Sequence, residues 1–270
     1  MTPSQSPSSA GLSDEARSAL LEHGWCVVPD VLTGARAAEI LERLWQAARE
    51  YRRRGNDTHI ATLDPNASNV RVFELLELDA AFRELIQHPL ALELVRTLLG
   101  PDFLISNFTA NIARPGSGSM SLHSDQALVV PEPWLQPWSI NVIWCLTDVC
   151  FENGATLFIP GSHEVTRLAE LGDEPLARLR PFEAKAGSVI AMDGRIWHTS
   201  GANITADQDR ALLFGYYSRS FLRGQVNWNA SLSADVQAGL SPALRVLLGL
   251  APSANVSVGR ALLDADIGHH

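Results

Sequence analysis

Two residues in the segment SLHSDQALVV, His123 and Asp125, are spaced so that they could act together on one ligand. The segment is otherwise largely apolar and predicts a β-strand, in which side chains two residues apart lie on the same face. An imidazole and a carboxylate that are buried side by side without a partner are energetically unfavourable. We therefore expect a cation to lie between them.

A metal held by this pair needs a third ligand from another part of the chain. Among the histidines of the β-rich region, His163 in PGSHE and His198 in MDGRIWHTSG are the candidates. Two imidazoles and one carboxylate on one face of an octahedral ferrous ion leave the opposite positions open for a co-substrate and O₂. These residue types therefore predict a non-haem Fe(II) site.

A cationic side chain is predicted close to the same site. Arg210 lies in DRALLFGYY, the strand predicted to follow His198. A guanidinium can bind a carboxylate through two parallel hydrogen bonds, which an ammonium cannot. Ser200 would share a strand face with His198 and could donate to the same carboxylate. The alternative is a structural ion pair between Arg210 and a nearby acid, Asp207 or Asp209.

The elements that must position these residues fall into two regions. In the first region, the sequence predicts a helix that is capped by Ser13 and ends at Gly24, and then a strand in WCVVPDVL. A second helix is capped by Thr33 and ends at Gly55. A loop over 56–70 follows, and then a helix that breaks near Pro89 and stops at Gly100. From Phe103 onward, short β-rich runs alternate with turns, which is typical of a β-sandwich or barrel. We predict a mainly β fold with flanking helices, comprising a disordered tail over 1–12 and a single domain over 13–270.

Several segments taken in order resemble one known family. LHSDQ, LTDVCFENGATLFIPGSH, MDGRIWHTSGAN and the downstream Arg210 look like the phytanoyl-CoA dioxygenase family of Fe(II)/2-oxoglutarate-dependent oxygenases, and the resemblance covers about residues 15–250. It implies a double-stranded β-helix, a cupin-like jelly roll. It also implies Fe(2+), 2-oxoglutarate and O₂ as cofactor and co-substrates, and hydroxylation of an unactivated C–H bond with decarboxylation of 2-oxoglutarate to succinate.

The resemblance assigns roles to individual residues. The implied metal ligands are His123, Asp125 and His198, and the implied 2-oxoglutarate contacts are Arg210, Ser200, Thr156, Asn111 and Arg71. His163 belongs to the family pattern without being a usual ligand, and we expect it to be structural. Related halogenases replace the carboxylate with Gly or Ala, so Asp125 favours hydroxylation over halogenation.

Composition and charge limit the partners. The formal net charge of −9 argues against nucleic acid and anionic membranes. Neither a membrane span nor a signal-peptide pattern is apparent, and the cysteines are expected to be reduced, so we predict a cytoplasmic protein. The substrate is expected to be an apolar or amphipathic small molecule. The loop ALVVPEPWLQPW, with Trp134 and Trp138, is either a lid over the metal or a rigid surface loop with packed indoles.

Other function classes share part of this pattern. A cupin-type isomerase or lyase would need the His/carboxylate set but not Arg210 with Ser200, and it would form no succinate from 2-oxoglutarate. A non-catalytic binding protein would be expected to lack one of the three metal-ligating residues, and all three are present in the sequence. A zinc hydrolase would need a separate general base, for which there is no HExxH-type signal.

Overall fold

The computed structural model of this chain describes residues 11–129 and 132–251. Most of the predicted N-terminal tail, and His269 and His270 at the other end, lie outside the described residues. Leu12, which the prediction placed in the tail, is buried in the core, and its backbone N–H donates to Glu93 Oε2 at 3.0 Å. Packing against the core therefore begins before the first helix, within the segment predicted as a tail.

Antiparallel strands form the centre of the molecule. The strands in chain order are β1 (Trp25–Val28), β2 (Asn69–Val72), β3 (Phe103–Ala113), β4 (Ser139–Cys145), β5 (Thr156–Phe158), β6 (Arg180–Pro181), β7 (Val189–Asp193), β8 (His198–Ser200) and β9 (Arg210–Arg219). They build a six-stranded sheet in the order β1-β7-β4-β9-β3-β2 and a three-stranded sheet in the order β6-β5-β8. This is the mainly β jelly-roll architecture that the sequence predicted.

Helices occupy the N-terminal region and the end of the described chain. They are α1 (Asp14–His23), α2 (Gly34–Arg53), α3 (Leu75–Leu78), α4 (Ala80–Ile86), α5 (Pro89–Leu99), α6 (Asp125–Val129), α7 (Trp228–Ser231), α8 (Ala234–Ala238) and α9 (Pro242–Leu247). The predicted caps are confirmed, because Ser13 and Thr33 accept from the backbone N–H groups of Ala16 and Arg36. Each described helix is too short or too polar to cross a membrane.

The two faces of the large sheet have different neighbours. In β4, Val142 and Trp144 belong to the large apolar core that also contains α4 and α5, whereas Ile143 belongs to a separate inner cluster. β9 alternates in the same way, with Leu213 on the helical side and Leu212 on the inner side. Helices therefore cover one face of the sheet, and the opposite face is left to line a cavity.

Two sequence predictions about local structure are wrong. The segment around His123 is not a continuous strand, since His123 forms an isolated bridge with His198 and Asp125 begins α6. Ser124 acts as the cap of α6, because Ala127 N donates to its Oγ at 3.4 Å. The predicted loop over 56–70 also ends earlier than expected, because β2 begins at Asn69.

The cysteines are free thiols, as predicted. Burial raises the pKa of Cys26 and of Cys145 to about 12. A thiol with so high a pKa carries almost no thiolate at neutral pH, and the thiolate is the reactive form. Neither side chain is therefore a nucleophile.

Candidate active site

His123, Asp125 and His198 lie together at the open end of the smaller sheet. One ligand atom from each of the three residues can be chosen so that all lie within 4.8 Å of one another. Asp125 Oδ1 is 3.7 Å from His123 Nε2 and 4.0 Å from His198 Nε2. Three donor atoms at these separations surround a space that suits one metal ion.

The backbone fixes the two histidines relative to each other. His123 N donates to His198 O at 3.0 Å, and His198 N donates to His123 O at 2.8 Å. This reciprocal bridge extends the small sheet by one residue beyond β8 and brings the two imidazole centroids to 4.3 Å. Asp125 then enters from the first turn of α6, so the three ligands come from two adjoining backbone segments.

The protonation state of both imidazoles suits a metal. His123 Nδ1 lies 2.9 Å from Ser121 O, and His198 Nδ1 lies 2.9 Å from Ile196 O. A carbonyl can only accept, so each Nδ1 carries a proton, and in the neutral ring each Nε2 then has its lone pair available for a metal. Burial also lowers the pKa of His198, which favours the neutral ring. Two neutral imidazoles and one carboxylate are a donor set that fits Fe(II).

Residues between and beside the ligands anchor this segment. Ser124 Oγ and Gln126 N both donate to Gly194 O in the turn after β7, at 2.9 and 2.8 Å. The Gln126 side chain donates to Gln136 O and accepts from Trp138 N, each at 2.8 Å. Both anchoring residues are fully buried. The turn at Gly194 therefore determines where the metal-binding segment lies.

We expect Gly194→Ala to weaken metal binding by about tenfold, in line with the loss of other groups that support metal ligands. A Cβ at this position would clash with Ser139 Oγ and lie 3.1 Å from Ser139 O, so the Ser139 side chain must rotate and the turn must shift slightly. Titration with Co(II) measures the effect. Adding Ser139→Ala should recover part of it, whereas Gly34→Ala, whose Cβ meets open space, should change nothing. Unaltered Co(II) affinity in Gly194→Ala would contradict this role for the turn.

Arg210 is a buried cation whose hydrogen bonds go to uncharged oxygens. Its Nε donates to Gly154 O at 2.9 Å, and its Nη1 donates to Asn111 O at 3.2 Å and to Asn111 Oδ1 at 3.0 Å. No carboxylate in the described residues forms an ion pair with it, and Asp209 lies instead 3.8 Å from Arg114. The structural ion pair considered as an alternative is therefore absent.

The electrostatic state of Arg210 favours an anionic ligand. Burial, and to a lesser degree the nearby Arg71, lowers the pKa of Arg210 to about 10, so the guanidinium remains charged at neutral pH. Arg71 has the same charge and cannot be a counter-ion of Arg210. Its own charge is neutralised, because it donates to both carboxylate oxygens of buried Asp64 at 2.6 and 2.9 Å. A buried charge without compensation is costly, and a carboxylate ligand would offset that cost.

The remaining predicted residues lie around the same space. Thr156 faces Ser200 across the β5–β8 pair, and Ser200 Oγ accepts from Met120 N at 3.0 Å. Arg71 and Asn111 are neighbours across the β2–β3 pair. A cavity of about 240 Å³ is lined by all of the predicted site residues, namely Arg71, Asn111, His123, Asp125, Thr156, His198, Ser200 and Arg210.

Sequence reasoning missed other residues that line the cavity. They are Leu63, Phe73, Asn107, Thr109, Met120, Asn141, Thr199, Phe214, Tyr216 and Gln225. Some could have been found from strand alternation, since Phe214 and Tyr216 share a face with Arg210 in β9. Asn141 could have been found only through the pairing of β4 with β9, where it faces Tyr216.

Two further expectations concern residues near the site. The ring of His163 is buried against the turn at Gly24, where a Cβ would lie 2.8 Å from it, and His163 is not part of the ligand cluster. The rings of Trp134 and Trp197 lie 6.3 Å apart, and Trp138 packs edge-on against Phe221 at 5.6 Å. Neither Trp134 nor Trp138 lines the cavity, which favours the packed surface loop over the lid.

Comparison with known sequences reveals a family and a close relative. The model of the phytanoyl-CoA dioxygenase (PhyH) family matches residues 20–211. The protein named dioxygenase af480 from Aspergillus fumigatus is 52% identical over 237 residues, which cover 88% of this chain and 77% of that protein. This match spans both the metal-binding segment and Arg210.

Solved structures with the same architecture have lower sequence identity. HygX from Streptomyces hygroscopicus, determined with nickel and 2-oxoglutarate bound, has a TM-score of 0.63 at 17% identity and covers 78% of this chain and 89% of its own. SnoK, a non-haem α-ketoglutarate-dependent carbocyclase from nogalamycin biosynthesis, has a TM-score of 0.65 at 20% identity, and the match covers 86% of this chain and 92% of SnoK. These likenesses support the jelly-roll fold.

Proposed function

The chain belongs to the phytanoyl-CoA dioxygenase family and is an Fe(II)/2-oxoglutarate-dependent dioxygenase, and we propose that it hydroxylates a C–H bond of an uncharged, largely apolar small molecule. His123, Asp125 and His198 hold the ferrous ion in this proposal. Arg210 binds the distal carboxylate of 2-oxoglutarate.

One observation carries the assignment of the co-substrate. The guanidinium of Arg210 has no acidic partner among the described residues, and it lines the same cavity as the His/Asp cluster. Arg210 Nη2 forms no hydrogen bond with those residues, while Nε and Nη1 are held by backbone and amide oxygens. An immobilised guanidinium with a free edge is suited to a carboxylate. A dicarboxylate keto acid can join this group to a metal across the cavity.

The protein residues orient and shield the reactants. When bound, the ferrous ion supplies the redox chemistry that couples decarboxylation of 2-oxoglutarate to oxidation of the substrate by O₂. The hydroxyl groups of Ser200 and Thr156 lie beside each other on the wall of the cavity, where they can donate to 2-oxoglutarate. Asp125 fills the ligand position that halogenases leave open, and so favours hydroxylation.

The cavity wall supports an uncharged substrate. Leu63, Phe73 and Phe214 give it apolar surface, and Asn107 donates to Gln225 Oε1 at 2.9 Å. The lining cations are Arg71, which is neutralised by Asp64, and Arg210, which is reserved for 2-oxoglutarate. No lining cation therefore remains for the phosphates of a CoA ester, and the net charge of −9 also disfavours a polyanion.

Anaerobic titration of the protein with Fe(II) and then 2-oxoglutarate tests this function. We expect a visible metal-to-ligand charge-transfer band, which uncharged apolar metabolites that bind the cavity should perturb and acyl-CoA esters should not. Admission of O₂ should then yield succinate. A protein that binds Fe(II) but gives neither the band nor succinate would be a metal-dependent isomerase or lyase instead.

A further inference from the structure

Asp125 presents its two carboxylate oxygens to different partners. Its Oδ1 points between the two histidine Nε2 atoms, at 3.7 and 4.0 Å. Its Oδ2 accepts a hydrogen bond from Asn141 Nδ2. Among the described residues, this is the side-chain hydrogen bond that Asp125 accepts, so Asn141 helps to set how the carboxylate is rotated toward the metal space.

The sheet holds Asn141 firmly in this position. It lies in the middle of β4, paired with Met192 of β7 on one side and with Tyr216 of β9 on the other. Its side chain is 94% buried by relative area (6% exposed) and points to the inner face, where it lines the cavity. A central strand with neighbours on both edges has little freedom to move, so the amide is a rigid donor.

The orientation of the Asn141 amide leaves one of its polar atoms unpaired, which lowers the stability of the fold. Asn141 Oδ1 is buried and has no hydrogen-bond partner in the described residues. An unsatisfied buried oxygen destabilises a fold, and a leucine of similar shape would avoid that loss. Asn141 therefore stabilises the fold less than an apolar residue would, but its amide is well placed to donate to Asp125.

On the basis of the proposed function, we infer that Asn141 is a positioning residue that restricts Asp125 to binding iron through one oxygen. A carboxylate can bind a metal through one or both oxygens. With Oδ2 held by Asn141, only Oδ1 would be available to the ion, and the positions not taken by His123, His198 and Oδ1 would be left to the co-substrates. Without the amide, Oδ2 is free to occupy a position that the reactants require.

The test compares Asn141→Leu with the wild-type protein and with Ile143→Val. Ile143 is buried on the same inner side of β4 but does not line the cavity, so its variant reports the effect of a packing loss alone. We expect Asn141→Leu to require at least about tenfold more 2-oxoglutarate to form the charge-transfer band, because the freed Oδ2 would compete with the keto acid for the ion. Its Co(II) absorption spectrum should change, because the coordination of the carboxylate changes. The melting temperature of the metal-free protein should be equal to or above that of the wild type.

Two results distinguish this inference from the proposed function. If wild-type protein forms the 2-oxoglutarate charge-transfer band and Asn141→Leu forms it at the same 2-oxoglutarate concentration and with the same Co(II) spectrum, the positioning role is refuted and the function stands. If the wild-type protein forms no band, the function itself fails. A loss of 2-oxoglutarate affinity in Asn141→Leu that only follows a lower melting temperature, as expected for Ile143→Val, is also evidence against positioning.

Discussion

Replacing Asp125 with alanine is expected to lower Fe(II) affinity and succinate release by more than about 100-fold, beyond the usual loss when only a partner of a ligand is removed. The change removes the one anionic donor of the cluster and leaves two neutral imidazoles. It also removes the acceptor of the Asn141 amide. The fold should persist, because Asp125 lies at the start of a short helix and its side chain is 17% exposed. Anaerobic Fe(II) titration and quantification of succinate by mass spectrometry measure both effects.

His198→Ala should give a comparable loss, and His163→Gln serves as the matched histidine control. His163 is buried near the β7–β8 region but lies outside the ligand cluster, so its variant should retain Fe(II) binding. Thermal unfolding of each metal-free variant separates loss of the site from loss of the fold. Undiminished succinate release by Asp125→Ala would mean that the ligands are assigned wrongly.

Arg210→Met is expected to raise the KM for 2-oxoglutarate by about 100-fold or more while leaving Fe(II) binding nearly unchanged. Two hydrogen bonds from a guanidinium to a carboxylate contribute about 1.5–3 kcal/mol each, which corresponds to at least this factor. Methionine fills a similar volume but offers no donor. Arg210→Lys keeps the positive charge but cannot reproduce the fixed two-donor geometry, so its KM should lie between those of Arg210→Met and the wild type.

Arg114→Met is the control for this experiment, since Arg114 follows β3, is exposed, and lies 3.8 Å from Asp209 without lining the cavity. It should leave the KM for 2-oxoglutarate and the Fe(II) affinity as they are. A fall in Fe(II) affinity for Arg210→Met, with the KM for 2-oxoglutarate unchanged, would place the carboxylate of the co-substrate elsewhere.

Local sequence signals predicted the elements with strong periodicity or caps. The run FLISNFTANIA became β3 over Phe103–Ala113, and the break at Pro89 separates α4 from α5. These features depend on side-chain alternation and on the missing N–H of proline, and both are local properties. The four-residue strand β2 was missed because so short a run inside a polar segment carries almost no periodic signal.

The segment that carries the ligands was assigned to the wrong element for a physical reason. The apolar residues after Asp125 suit either a strand or a helix, and periodicity cannot separate the two over so short a length. Ser124 gave the better signal, since serine immediately before an acidic first turn is a common helix cap. The shared face of His123 and Asp125 was inferred from strand geometry, yet their proximity results from a backbone bridge followed by a helix start.

Asn141 illustrates what no local signal could provide. Its contact with Asp125 depends on the pairing of β4 with β7 and β9 and on the residue at which α6 begins. Both depend on residues that are distant in the sequence. Arg210 was found because it lies in the strand predicted to follow His198 and can bind a carboxylate through two hydrogen bonds, but only the structure shows that no described carboxylate forms an ion pair with it. Chemistry that depends on residue type is thus predictable, whereas contacts across the sheet are not.

The alternation of β4 and β9 between a helical side and a cavity side limits how this chain can evolve. Deleting or inserting one residue within β9 would exchange the sides of every residue on one side of that point, so a deletion between Arg210 and Leu213 would turn the guanidinium toward the helical side of the sheet, where Leu213 packs. Insertions and deletions within these strands therefore disrupt the site even where the fold tolerates them. New substrate preferences must instead arise by point substitution on the cavity side, or by changes of length in the loops between strands.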